Sequence, residues 1–169
     1  MRTLAALARR RPSRPGLVPS LVIAIVVAAT VAGLAWWGDH RATQRDRAVR
    51  QALATAPAAA KAIFSYDYRT FDDSVANGRT FTTGDFAAEY AQTTGALRQT
   101  ATKQQAVVLA EVSSTGVVTA AADRVELLVY LNQYRRNVST AGEKVDQNRV
   151  VLVLVPDGGD WKVAGATAI

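Results

Sequence analysis

The chain has 169 residues, a formal charge of +6 and no cysteine, which excludes disulfides and thiolate metal sites and leaves the fold to stand on its own core. The charge is unevenly spread: Arg2, Arg9, Arg10, Arg11 and Arg14 lie ahead of the first apolar run. Taking those five from the 20 Lys and Arg leaves 15 against 14 Asp and Glu, so the remainder is near +1. With no clustered basic stripe and no interleaved aromatics, nucleic acid is not expected as a partner.

From Leu17 to Trp37 no residue is charged. As a helix this run measures roughly 30 Å, the thickness of a bilayer's hydrocarbon core. Pro19 falls in the first turn, where no helical donor is lost. Trp36 and Trp37 close the run where amphipathic rings favour the headgroup level. A cleaved signal peptide would have a shorter apolar core and a small-residue cleavage site; here the tryptophan pair and Gly38-Asp39-His40 stand in that place. The expectation is an uncleaved anchor at 17–37 in contact with membrane lipids. The basic tail 1–16 would lie in the cytoplasm and residues 38–169 outside, a single-pass arrangement in the cell membrane that follows the positive-inside rule.

Residues 38–57 read as a helical stalk, with Val49, Ala52, Leu53 and Ala56 as a weak apolar face and Pro57 as its end. The extracytoplasmic domain, 58–169, then begins with a helix from Ala58 to about Tyr68. A short amphipathic segment over 71–81 is broken at Asn77-Gly78. Thr83-Gly84-Asp85 marks the next helix start, with Asp85 placed to favour the dipole. Phe86, Tyr90, Thr94 and Leu97 fall on one stripe of that helix, which should run to about residue 100–103.

After Gln105 the period changes to that of strands. Strands are predicted at 107–112, 117–121, 125–134, 145–155 and 161–166. In the third, Leu127, Val129 and Leu131 alternate with Leu128, Tyr130 and Asn132. Residues 138–144 form a loop, and Pro156-Asp157-Gly158-Gly159-Asp160 is a hairpin turn. Helices followed by an antiparallel meander make an α+β domain with helices packed on a curved antiparallel sheet.

The layout and several local strings resemble the Mce-associated membrane proteins of actinobacteria. The strings are Phe64-Ser65-Tyr66-Asp67-Tyr68-Arg69, Thr83-Gly84-Asp85-Phe86 with Tyr90, Asn132-Gln133, Asp146-Gln147-Asn148-Arg149-Val150, and Trp161-Lys162-Val163. The resemblance covers about residues 17–169. It implies a nuclear-transport-factor-2-like cone and a non-enzymatic accessory role that stabilises or assembles an Mce-type lipid or sterol import complex. Mce subunits and their permease would be partners, and a lipid or sterol the ligand of the cone. A bitopic subunit of a type IV secretion or conjugation machine shares the single span and the cone. An anchored steroid- or lipid-acting isomerase is the third reading.

For catalysis the chain offers little. His40 is the only histidine and lies beside the apolar run, so the domain has no Ser-His-Asp set. No metal site and no cofactor are expected. Asp67, between Tyr66 and Tyr68, is the candidate carboxylate base, with Asp146 second. The competing reading is structural: the tyrosines pack, Asp67 caps a helix end, and Asp67 pairs with Arg69 or Arg149. Asp146 and Arg149 are read as an inter-strand ion pair or a partner contact. Trp161 is expected to be a buried core indole. Tyr66, Asp67, Tyr68, Arg69, Asp146, Arg149 and Trp161 are therefore the structural and partner-contact candidates.

Overall fold

A computed structural model describes residues 17–169, apart from the side chains at 17–21, 23, 24 and 35. The expected cytoplasmic tail, 1–16, lies outside the described residues. Helix α1 runs from Leu17 to Phe64, strand β1 spans Tyr66–Asp67, and a 3-10 turn covers Tyr68–Thr70. Helices α2 (Phe71–Thr80) and α3 (Gly84–Gln104) follow, then strands β2 (Val107–Ala120), β3 (Val125–Arg136), β4 (Lys144–Asp157) and β5 (Asp160–Ala168). The five strands lie in the order β1-β2-β3-β4-β5, every neighbour antiparallel. The chain divides into two compact units at His40–Arg41.

In the first unit, Val22, Ile25, Val26, Val27, Val31, Leu34, Trp36 and Trp37 are each between 52% and 72% exposed. In the same stretch Thr30 Oγ1 donates back to Val26 O at 2.8 Å. Among the described residues no helix is long and apolar enough to cross a membrane; the expected span at 17–37 contains side chains that fall outside that set.

The second unit is built on a period of two. In β3, Val125, Leu127, Val129 and Leu131 face inward and are buried, and β4 answers with Val150, Leu152 and Leu154. Val151, Val153 and Val155 turn to the outer face and are only half-buried, so β4 reads as an unbroken apolar run although its two faces differ. Against the inner face lies a smooth stripe of α1 (Ala48, Ala52, Ala56, Ala59, Ala60 and Ile63), with Phe86 and Tyr90 from α3 in the same core.

That alanine stripe explains two departures from the sequence expectation. The helix continues through Pro57, although proline costs about 3 kcal/mol in a helix interior. The small residues on either side of it let the backbone lie close to the sheet, and the packing of that face outweighs the lost hydrogen bond. The segment expected to stand as a stalk thus places Ala48, Ala52 and Ala56 in the core. The helix stops at Phe64, short of Tyr68, because Ser65 Oγ accepts a 2.9 Å hydrogen bond from Ala110 N and Tyr66-Asp67 pair with Val108 and Val107.

Two further breaks are absent. Helix α2 passes through Asn77-Gly78 because Gly78 is buried under Tyr90: a Cβ there would collide with the Tyr90 hydroxyl and come within 2.9 Å of Ala62 O. The two short strands expected at 107–121 are one strand, irregular at Ser113 and Val118. These bulges bend it without ending the pairing with β3. At the β4–β5 hairpin, Gly158 (φ 64°) and Gly159 (φ 95°) supply the positive φ of a two-residue turn. Thr83, which precedes α3, donates from Oγ1 to Asp157 Oδ2 at 2.6 Å, joining the helix start to this hairpin.

Candidate functional site

A cavity of about 360 Å³ opens between α3, α2, the end of α1 and the inner face of the sheet. Its apolar wall is formed by Ile63, Phe64, Phe71, Val75, Phe86 and Leu97. The stripe expected on α3 accounts for three of its lining positions, Tyr90, Thr94 and Leu97, besides Phe86.

Its polar end is set by strand register. Tyr66 pairs with Val108, and Val108 pairs with Arg135, so these three form one row across β1, β2 and β3. Gln133 lies two residues from Arg135 on the same face. Arg135 donates from Nε to Asp146 Oδ2 at 2.7 Å, and its Nη2 also reaches that oxygen. Asn148 Nδ2 donates to Gln133 Oε1 at 2.7 Å, which leaves the Gln133 amide N–H groups as donors. Tyr66 sits edge-on to Phe71, ring centroids 5.6 Å apart. Burial raises the Tyr66 phenol above its ordinary value, while the nearby Arg135 charge works the other way. The hydroxyl therefore stays protonated near neutral pH.

The tyrosine-flanked Asp67 has a different setting. Its Oδ1 accepts from Arg69 N at 2.9 Å, capping the 3-10 turn. The Arg69 guanidinium grips both oxygens, with Nη2 at 2.6 Å from Oδ2. The side-chain hydrogen bond from Arg69, helped by the backbone one, lowers the Asp67 pKa, and the same bond raises that of Arg69. Arg69 also lies 5.9 Å over the Tyr68 ring. Asp67 lines a second depression on the other side of Tyr66 and does not face the 360 Å³ cavity. A carboxylate held ionised by an arginine, outside the apolar chamber, lacks the setting that raises a catalytic carboxyl.

The expected partnership of Asp146 with Arg149 does not form. Three residues apart on one strand, they point to opposite faces. Asp146 faces Arg135, whereas Arg149 lies on the outer face, 5.8 Å over the Tyr130 ring. Nor does Arg149 pair with Asp67. Trp161 is 8% exposed and donates from Nε1 to Gln51 Oε1 at 3.0 Å, binding β5 to α1. The seven candidates thus occupy four places: the β1 turn, the cavity rim, the outer sheet face and the core. Among the described residues no group of three or more His, Cys, Asp and Glu side chains converges as metal ligands would.

Arg135 and Gln51 were not singled out from the sequence, and Gln133 stood only in the string Asn132-Gln133, with no site role. Gln133 and Arg135 carried a signal: the inward phase of Val125, Leu127, Val129 and Leu131 continues to 133 and 135, so polar side chains there must enter the interior or its rim. Gln51 carried none.

The helix-covered antiparallel sheet matches two solved structures over most of their length. An IcmL-like type IV secretion system protein from Legionella pneumophila gives a TM-score of 0.58 at 18% identity, covering 71% of this chain and 92% of that one. CagV, a VirB8 homologue from Helicobacter pylori, gives 0.58 at 10% identity, covering 70% and 96%. The domain is a nuclear-transport-factor-2-like cone. In sequence, the chain is 24% identical over 152 residues to the uncharacterized protein Rv1362c of Mycobacterium tuberculosis H37Rv, covering 88% of this chain and 69% of that protein. The uncharacterized protein MT1407 of strain CDC 1551 matches equally. No known family profile matches the sequence.

Proposed function

We propose that this protein is a non-enzymatic, membrane-anchored assembly subunit of a multiprotein transport complex in the cell envelope. The observation that carries the reading is the cone itself, which shares its fold with type IV secretion subunits and in which the candidate base Asp67 is held ionised by Arg69 outside the chamber. The uncharged run 17–37 is the anchor, in keeping with its exposed apolar side chains and the internally satisfied Thr30. The basic tail stays in the cytoplasm and the cone lies outside.

Two machines fit this role. The fold likeness favours a VirB8-like place in a type IV secretion or conjugation apparatus. The local strings favour an accessory place beside an Mce-type lipid import complex, and the uncharacterized relatives from Mycobacterium tuberculosis are compatible with the actinobacterial origin of that family. Quantitative proteomics of membranes from a strain lacking the protein tests the shared claim. Loss of a co-dependent set of envelope transport subunits is expected; unchanged abundance of every such subunit would overturn it.

A further inference from the structure

We propose that the 360 Å³ cavity is a binding site for one small neutral amphiphile, a single-chain or compact-ring lipid whose hydroxyl or carbonyl oxygen is held by Tyr66, Gln133 and Arg135. The site stands on the cavity's own geometry and holds whichever machine the protein serves.

Size, donor chemistry and charge point to this class. The volume is near the low end of the roughly 300–1,000 Å³ of small-molecule pockets, room for one chain or small ring system and not for a two-chain phospholipid. The groups at the polar end are donors. The Tyr66 hydroxyl has no hydrogen-bond partner among the described residues. The Gln133 oxygen is already taken by Asn148, so its N–H groups face outward from that bond. Arg135 commits Nε and Nη2 to Asp146 and keeps Nη1. Such an end recognises an acceptor oxygen. Because Arg135 is already paired with Asp146, which lies outside the lining, and the one carboxylate of the lining is Glu89, the chamber offers an anionic head no uncompensated positive charge, whereas a hydroxyl or carbonyl needs none. The rest of the wall, from Phe64, Phe71, Val75 and Leu97, is apolar and accepts the hydrocarbon body.

The test uses the full-length protein in nanodiscs and a diazirine-bearing dodecanol, photolysed and mapped by peptide mass spectrometry. Labelling should fall on the cavity wall, at peptides containing Phe64, Phe71 and Leu97, and unlabelled dodecanol should compete. Tyr66→Phe should weaken apparent affinity about fivefold, the equivalent of one hydrogen bond of about 1 kcal/mol. Leu97→Trp, which fills the chamber from a half-exposed position, should abolish wall labelling while a cooperative urea transition persists. If the tryptophan variant does not fold, the Tyr66→Phe shift and the competition decide alone. Labelling confined to 17–37, or wall labelling indifferent to Tyr66→Phe, would overturn the site. Stronger wall labelling by the matching dodecanoic acid probe would overturn the neutral head, and equal labelling by a diazirine phosphatidylcholine would overturn the single-chain assignment.

Discussion

Trp161 and Gln51, at opposite ends of the folded unit's sequence, meet through a 3.0 Å hydrogen bond from the indole Nε1 to the amide Oε1. The bond closes the core: the last strand is held to the helix that leads in from residue 41. Replacing the indole should therefore act in two stages. Trp161→Phe removes the hydrogen bond at a cost of about 1 kcal/mol, and Trp161→Ala also opens a cavity, for about 3–5 kcal/mol. Urea midpoints of the two variants check this order. Gln51→Ala should match the phenylalanine variant and add nothing to it.

Gly78 should be intolerant of a methyl group. Alanine is the better helix former by about 1 kcal/mol, yet a Cβ at 78 strikes the Tyr90 hydroxyl and crowds Ala62 O. Gly78→Ala is expected to destabilise by about 1–3 kcal/mol. Adding Tyr90→Phe, which removes the struck oxygen, should recover part of that loss. Equal stability of Gly78→Ala and the parent protein in thermal unfolding would refute the contact.

The structure separates Asp146 from Arg149 and joins it to Arg135. In double-mutant cycles, Arg135→Ala and Asp146→Ala should be coupled, by up to about 1 kcal/mol for so exposed a pair. Arg149→Ala and Asp146→Ala should be additive, because the sheet lies between them. Coupling of the second pair, with none in the first, would reverse the assignment.

Asp67 makes a prediction in pH. Its pKa is lowered in the folded protein by Arg69, so the stability it contributes is present above the unfolded-state value of about 3.9 and is lost as pH falls through the folded value. Arg69 is 67% exposed, so solvent screening keeps the effect small. Asp67→Asn should therefore be slightly less stable than the parent protein at pH 7, and the gap should close on acidification below pH ~4. A gap that widened toward acid would contradict the pairing.

Much of the fold was legible because it rests on period. Alternation in β3, the glycine pair at the last hairpin and the Phe86–Leu97 stripe each signal structure by local chemistry, and each element forms at those residues. What was not legible depends on tertiary contact. Pro57 and Gly78 are local breakers overridden by an alanine face against the sheet and a tyrosine above a glycine, and no local rule contains either partner. The candidate site divides the same way. Asp67 with Arg69 is a near-neighbour pair that sequence can suggest. The row Tyr66–Val108–Arg135 exists only through the register of three strands, so the polar end of the cavity was visible only as an unexplained continuation of the inward phase to Gln133 and Arg135.

Affinity purification of the full-length protein from its native membrane in mild detergent, followed by mass spectrometry, tests the assembly role most directly. The account predicts specific enrichment of the subunits of one envelope transport complex, Mce proteins with their permease or secretion-type components. Recovery of the protein without any such subunit, under conditions in which those complexes stay intact, would contradict it.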